Sequence, residues 1–189
     1  IAVDTRYDVA RGVSAYKRYR TEPRFLAFNS ICTGLGKALD PLSEKDKVLQ
    51  YVAGEGEAQA RIGYRFTWGT PYQDMFGAEI DWMVADWKAK GNPGMPTVGY
   101  MSWDNPYGRE PLCGGKEYAE KVGVTLLPLE FFPTGTPDHT VYLSRLAEAG
   151  ANYIHVGGVD PTPTLVLRDA HKLGLTKTIQ FLCDYWGPD

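Results

Sequence analysis

Gly91-Asn92-Pro93-Gly94-Met95-Pro96-Thr97-Val98-Gly99-Tyr100-Met101-Ser102-Trp103-Asp104-Asn105-Pro106-Tyr107-Gly108 is the stretch on which the fold is read. The glycines and prolines between Gly91 and Pro96 stop the helix that precedes them and mark a domain boundary. Thr97–Trp103 is then an apolar run of strand length. Tyr107–Val122 reads as a helix, with Gly123 free to take the left-handed cap conformation. Strand, loop and helix thus follow one another within one short segment.

The same rhythm extends in both directions. Downstream, Val124–Phe132 is a strand, and Asp138 caps a helix running through Tyr142, Leu146 and Ala149 to Gly150. Asn152–Val156 is a strand, Gly157-Gly158 a turn, Thr162–Leu173 a helix capped by Gly174, and Thr178–Cys183 the last strand. Upstream, Pro71–Lys90 is the longest helix, with Phe76, Ile80, Met83, Val84 and Trp87 at mixed steps of three and four. Before it come a strand at Tyr64–Trp68, a brief helix at Glu57–Ile62 and a turn at Gly54-Glu55-Gly56. Lys47–Ala53 and Arg24–Asn29 are strands, and Thr33–Leu42 is a short helix between them. Tyr7–Arg20 carries Val9, Val13, Tyr16 and Tyr19 on one helical stripe, ended by Pro23. Strand–helix alternation throughout predicts an α/β protein whose parallel sheets are wrapped by helices. With the boundary at Gly91–Pro96, residues 1–92 and 93–189 form two parallel-sheet lobes. The halves share a rhythm but no sequence repeat.

Composition removes several function classes. Of 189 residues, 43% are hydrophobic and 23% charged, so the chain buries enough surface to fold. Its net charge of -3, from 20 basic and 23 acidic residues, lacks the basic surplus of a nucleic-acid binder. Aromatics reach 13%, with 12 Tyr and 5 Trp, which suits both a core and a pocket for a small organic molecule. The most apolar runs, Val48–Ala53 and Val124–Phe132, have strand length, so no membrane-inserting segment is predicted. The opening Ile1-Ala2-Val3-Asp4 is not a signal peptide, and the chain ends on the loop Trp186-Gly187-Pro188-Asp189. It is read as an excerpt of a longer protein. Cys32, Cys113 and Cys183 are odd in number, and none lies at metal-ligand spacing with His139, His155 or His171. No metal, cofactor or catalysis is therefore expected. His155 reads as a core histidine with a partner, and His171 as an exposed one.

Thr33-Gly34-Leu35-Gly36-Lys37 has the look of a phosphate loop. Ile31 and Ala38 stand where a Walker motif needs Gly and Ser/Thr, and Leu39 breaks a dinucleotide fingerprint. What remains is a helix N-terminus with Thr33 and Gly34, either a plain cap or a site for a carboxylate. Gly54, Glu55 and Gly56 either let backbone approach a ligand, with Glu55 meeting an ammonium group, or form a solvated turn. Tyr72 and Gln73 lie just before or at the start of the long helix. Trp103, Asp104 and Tyr107 follow one strand, Val159 and Asp160 another, and Asp184, Tyr185 and Trp186 the last. In open parallel sheets, ligands bind at the edge where these loops emerge. No Gly-x-Ser-x-Gly elbow occurs, and no nucleophile, base and orienting acid assemble by spacing.

Asp4-Thr5-Arg6-Tyr7-Asp8, Thr33-Gly34 after a strand, and Asp104-Asn105-Pro106-Tyr107-Gly108 resemble the type I periplasmic solute-binding proteins. The match is to the branched-chain amino-acid group of ABC transporter receptors. Val122-Gly123-Val124 to Pro133, Thr136-Pro137-Asp138, Leu143 to Leu146, and Gly157-Gly158 to Leu173-Gly174-Leu175 continue it in order over essentially the whole chain. The resemblance implies two Rossmann-like, flavodoxin-like lobes closing on a ligand held between them by a hinge. It implies that the first strand and helix of lobe one, and everything after lobe two, lie outside this chain. It places Thr33 near a hydroxyl residue that holds the ligand carboxylate, and Tyr107 where a tyrosine packs on the ligand. Val159 or Asp160 falls where an aromatic often sits, and Asp184 or Tyr185 near an acid that meets an amino group. Gly54-Glu55-Gly56 replaces the usual Ser/Thr of the second turn, and Gln73 stands nearest to an expected Asp. The ligand class is accordingly a small carboxylate: an amino acid, an aromatic acid or an amide.

The function implied is an extracytoplasmic receptor, periplasmic or lipid-anchored, that delivers its ligand to the membrane permease of an ABC importer. A ligand-sensing domain coupled to a regulator is the alternative on the same fold. A flavodoxin-like enzyme is a third reading, opposed by the missing phosphate loop and catalytic constellation.

Overall fold

The computed structural model describes residues 1–53 and 63–187. The chain divides into two compact units, Ile1–Tyr72 and Gln73–Asp189.

In the first unit α1 (Val9–Tyr19) starts at Asp8, whose side chain accepts the Arg11 backbone N–H. Strands β1 (Ala27–Ser30), β2 (Leu49–Val52) and β3 (Arg65–Thr67) form a parallel sheet in that order. Helix α2 (Thr33–Asp46) crosses between β1 and β2. Tyr16 of α1 packs with Cys32, Leu35 and Leu39, joined by the rings of Phe25 and Phe28. The two helices approach closely at Gly12, where a Cβ would collide with Leu35. Sequence pattern ends α2 at Leu42, but the helix passes Pro41 and continues to Asp46. Tertiary bonds hold the added turn: the Ser43 hydroxyl donates to Val48 O, and Asp46 accepts from both Tyr16 and Arg20. On one face of the sheet Asn29, Tyr51 and Phe66 stand side by side in register, and all three are exposed. On the other, Ser30, Gln50, Val52 and Arg65 are buried.

The second unit opens with α3 (Tyr72–Ala89). Its sheet runs β5 (Thr125–Leu126), β4 (Thr97–Trp103), β7 (Tyr153–Val156), β8 (Gln180–Leu182), all parallel. β6 (Glu130–Phe132) pairs with the far half of β4 along the edge that β5 begins. The crossovers are α4 (Pro106–Arg109), α5 (Leu112–Lys121), α6 (Thr140–Glu148) and α7 (Thr162–Lys172), with a 3-10 turn at Leu175–Lys177. Phe76, Ile80 and Met83 of α3 are buried with Val98, Tyr100, Ala119, Val124 and Tyr153.

That packing corrects the expected boundary. The division falls at Tyr72/Gln73 rather than at Gly91–Pro96, because the apolar stripe of α3 belongs to the second core. Two other expectations change. The helix expected over Tyr107–Val122 is broken, with Cys113 and Gly114 out of helical conformation and Gly114 at φ 94. The strand expected over Val124–Phe132 is two short strands, separated by Pro128, which has no N–H to give a ladder. The expected helix at Glu57–Ile62 lies outside the described residues.

Candidate functional site

β4, β7 and β8 end at the same edge of the second sheet, and the residues that follow them meet there. Asn105 accepts the Gly108 N–H through its side chain at 3.0 Å and starts α4 directly after β4. Gly108 lies against the carbonyl of Trp103, where any Cβ would collide, so only glycine folds α4 back on its strand. This turn buries Tyr107, which is 2% exposed. Its hydroxyl donates to Asp184 Oδ2 at 2.6 Å and accepts the Gly158 backbone N–H at 3.2 Å. Asp184, 6% exposed, accepts the Trp186 N–H on its other oxygen at 2.9 Å. Trp103 donates its indole N–H to Thr162 Oγ1 at 3.1 Å and meets Tyr107 edge to face at 5.9 Å. Gly158, at φ 145, leaves no room for a Cβ against Thr162.

The electrostatics of this edge are unusual for a carboxylate. Burial pushes the Asp184 carboxyl above its ordinary range, while the Tyr107 hydrogen bond and the positive field of His155 hold it down. Behind it, His155 Nδ1 lies 2.7 Å from Glu79 Oε2 of α3, with the imidazole 1% and the carboxylate 12% exposed. Burial opposes charge on His155, but Glu79 and then Asp184 outweigh it, and its pKa is raised. The ring stacks on Tyr100 at 4.7 Å and takes the edge of Phe76 at 5.2 Å.

The residues expected from sequence separate into groups. Trp103, Tyr107 and Asp184 come together. Val159 is half-buried and follows Gly158 directly. Asp160 is exposed, and its carboxylate accepts the Thr164 hydroxyl. Tyr185 is 39% exposed and pairs with Trp186 at 4.9 Å between ring centres. Gln73 lines a separate groove of about 410 Å3 with Asp74, Gly77, Asp81, Gly114 and Tyr118. Tyr72 is buried. In the first unit Thr33 is the first residue of α2, 1% exposed, and Cys32 before it offers no side-chain cap. Gly34 is half-buried. The expected turn at Gly54, Glu55 and Gly56 lies outside the described residues.

Sequence reading finds His155 but not its partner Glu79, which is far away along the chain and shares no spacing with it. Thr162 and Gly158 are also missed as partners of Trp103 and Tyr107. The Gly157-Gly158 pair was the signal that pointed to them. Among the described residues no three His, Cys, Asp or Glu side chains converge as metal ligands, and no helix is long and apolar enough to cross a membrane.

The periplasmic binding protein family matches residues 1–189, and the chain belongs to that family. Over 79 residues it is 28% identical to a leucine-, isoleucine-, valine-, threonine- and alanine-binding protein of Pseudomonas aeruginosa, covering 42% of this chain and 21% of that protein. A branched-chain amino-acid ABC transporter structure from Thermus thermophilus, with bound valine, superposes with a TM-score of 0.88 at 20% identity. It is covered over 48% of its length, and this chain over 100%. A solute-binding protein from Rhodopseudomonas palustris BisB5 with 3,4-dihydroxybenzoic acid gives a TM-score of 0.81 at 18% identity, covering 98% of this chain and 50% of that one. The chain thus spans about half the length of these solved structures. At such identities the likeness is one of fold: an α/β architecture of the type I periplasmic binding protein class.

Proposed function

We propose that the chain is part of an extracytoplasmic receptor that binds a small carboxylate and delivers it to the permease of an ABC importer. The observation that carries this reading is the buried Tyr107–Asp184–Gly158 cluster past the ends of β4, β7 and β8. A carboxylate sequestered from water at that edge suits an ammonium group or a hydrogen-bond donor on a ligand. Trp103 and Tyr107 supply apolar ring surface beside it. Thr33, at the start of α2, supplies a hydroxyl and a helix end whose N–H groups favour the ligand carboxylate. No bond is made or broken. Binding energy is spent on lobe closure around the ligand, not on a transition state. Valine and 3,4-dihydroxybenzoate, bound by proteins of the same fold, are the first probes to try.

Calorimetry on the full-length protein, with valine, 3,4-dihydroxybenzoate and a panel of small acids and amides, tests the proposal. Saturable binding without turnover supports it. Mass spectrometry of a molecule carried through native purification identifies the ligand directly. Conversion of any panel member into product, or absence of binding across the panel with nothing co-purifying, overturns the reading. Solution scattering with and without the bound probe tests closure separately.

A further inference from the structure

Past the ends of β4, β7 and β8 the ring residues have already spent their donors. The Trp103 indole has a single N–H, and Thr162 Oγ1 accepts it at 3.1 Å. Tyr107 has a single O–H, and Asp184 Oδ2 accepts it at 2.6 Å. Thr162 is itself held in place. Its backbone N–H donates to Val159 O at 3.0 Å, and its methyl group faces Gly158, where a Cβ would lie 2.7 Å from Cγ2. With the methyl against Gly158 and the oxygen on the indole, the side chain keeps one rotamer. An indole can only donate, so the Thr162 oxygen can only accept from it, and the hydroxyl hydrogen is left over. Among the described residues no acceptor takes that hydrogen. Thr162 is 4% exposed, comparable with Trp103 and Asp184 at 6%. A donor this deep carries its desolvation cost until something pairs with it.

We propose that Thr162 is a specificity-determining residue of the ligand site, its hydroxyl fixed by Trp103 as a donor, and that with the acceptor Asp184 it selects a hydroxyl-bearing aromatic acid. This rests on the reading of the cluster as the ligand site. The class follows from the two polarities: Asp184 takes a hydrogen and Thr162 gives one. A phenolic hydroxyl meets both demands with one oxygen. An ammonium group has hydrogens for Asp184 but no lone pair for Thr162. A carboxylate has lone pairs for Thr162 but repels Asp184. The Trp103 and Tyr107 rings, edge to face with centres 5.9 Å apart, supply carbon surface suited to an aromatic body. In setting the polarity of Thr162, Trp103 is a positioning residue.

The test is titration calorimetry on the full-length protein with 4-hydroxybenzoate, 4-aminobenzoate, benzoate and valine. The parent should bind 4-hydroxybenzoate at least roughly tenfold more tightly than 4-aminobenzoate or benzoate. Thr162→Val keeps the shape and removes the hydroxyl. The ratio of 4-hydroxybenzoate to benzoate affinity should then fall roughly five- to tenfold, and Thr162→Ser should restore it. Trp103→Phe removes the indole donor and frees the Thr162 oxygen to accept, so the margin of 4-hydroxybenzoate over 4-aminobenzoate should narrow. In NMR spectra without any probe, the Trp103 indole N–H resonance should move upfield in Thr162→Val and return in Thr162→Ser. The parent's probe order and the Trp103→Phe margin keep the inference open to refutation if Thr162→Val does not fold. An unchanged ratio in Thr162→Val, or an indole resonance indifferent to it, overturns the inference and leaves the receptor reading standing. So does tight binding of valine with no preference for 4-hydroxybenzoate over benzoate. If none of the probes binds and nothing co-purifies, the receptor reading fails and the inference fails with it.

Discussion

Asp184 holds a carboxylate where burial disfavours charge, with Tyr107, the field of His155 and a backbone N–H to offset it in part. The sign of its effect on stability follows. A carboxyl whose folded pKa lies above its unfolded one weakens the fold as pH rises from the ordinary Asp range into the neutral range. Asp184→Asn is isosteric and cannot ionise, so its melting temperature at neutral pH should rise above that of the parent, while affinity for amino-group ligands drops. Scanning calorimetry and titration calorimetry read the two effects. A lower melting temperature would make the carboxylate a structural group. Thr33 is the corresponding test in the first unit. Thr33→Ala leaves the α2 end in place and removes one charge-assisted hydrogen bond, worth about 1.5–3 kcal/mol. Carboxylate binding should weaken roughly ten- to hundredfold. Unchanged affinity for every acid tried would remove Thr33 from the site.

Helices α1 and α2 meet through an absent side chain. Gly12→Ala places a methyl group in the Leu35 side chain and should cost about 1–3 kcal/mol, read as a lower denaturant midpoint. Leu35→Ala should be destabilising alone, yet the double variant should be more stable than the sum of the two losses allows. Additivity would show that the helices do not touch there. Such pairings are what the sequence leaves unread. The existence and order of nearly every element were legible, since Thr97–Trp103, Asn152–Val156 and the stripe of α3 carry clean periodicity. Which core the α3 stripe fills was not legible, because periodicity gives a buried face but not the partner it faces. The end of α2 was placed at Leu42, short of Asp46, because the bonds to Asp46 and Ser43 that hold the added turn come from elsewhere in the chain. That Trp103, Tyr107 and Asp184 meet was legible because topology gathers residues that follow strand ends. Glu79 was missed because it reaches His155 from the side of a helix.

Two buried histidines give the whole protein opposing responses to pH. His155 has a raised pKa: burial resists its charge, but Glu79 prevails. Its contribution to stability is complete below the ordinary histidine value, about 6.5, and is lost as pH climbs through the raised one. His139 is buried against Phe132 with its Nδ1 3.6 Å from Asp169, and burial drives its pKa down. As pH falls below about 6.5, the unfolded chain takes up a proton that the folded His139 refuses, and stability drops. The melting temperature should therefore decline on both sides of neutrality. His139→Phe should flatten the acid limb and His155→Gln the alkaline one, as read by thermal melts across pH. Identical profiles in parent and variants would assign both limbs elsewhere. The first unit brings a different liability. Parallel sheets normally have both faces covered, yet Asn29, Tyr51 and Phe66 are in the open. Produced as residues 1–189 alone, the polypeptide should be sticky: it should light up anilinonaphthalene dyes, lag on size-exclusion resin and lose refolding yield as concentration rises. Tyr51→Thr with Phe66→Thr should cut the dye signal without unfolding the sheet, giving the bench worker a form that can be concentrated.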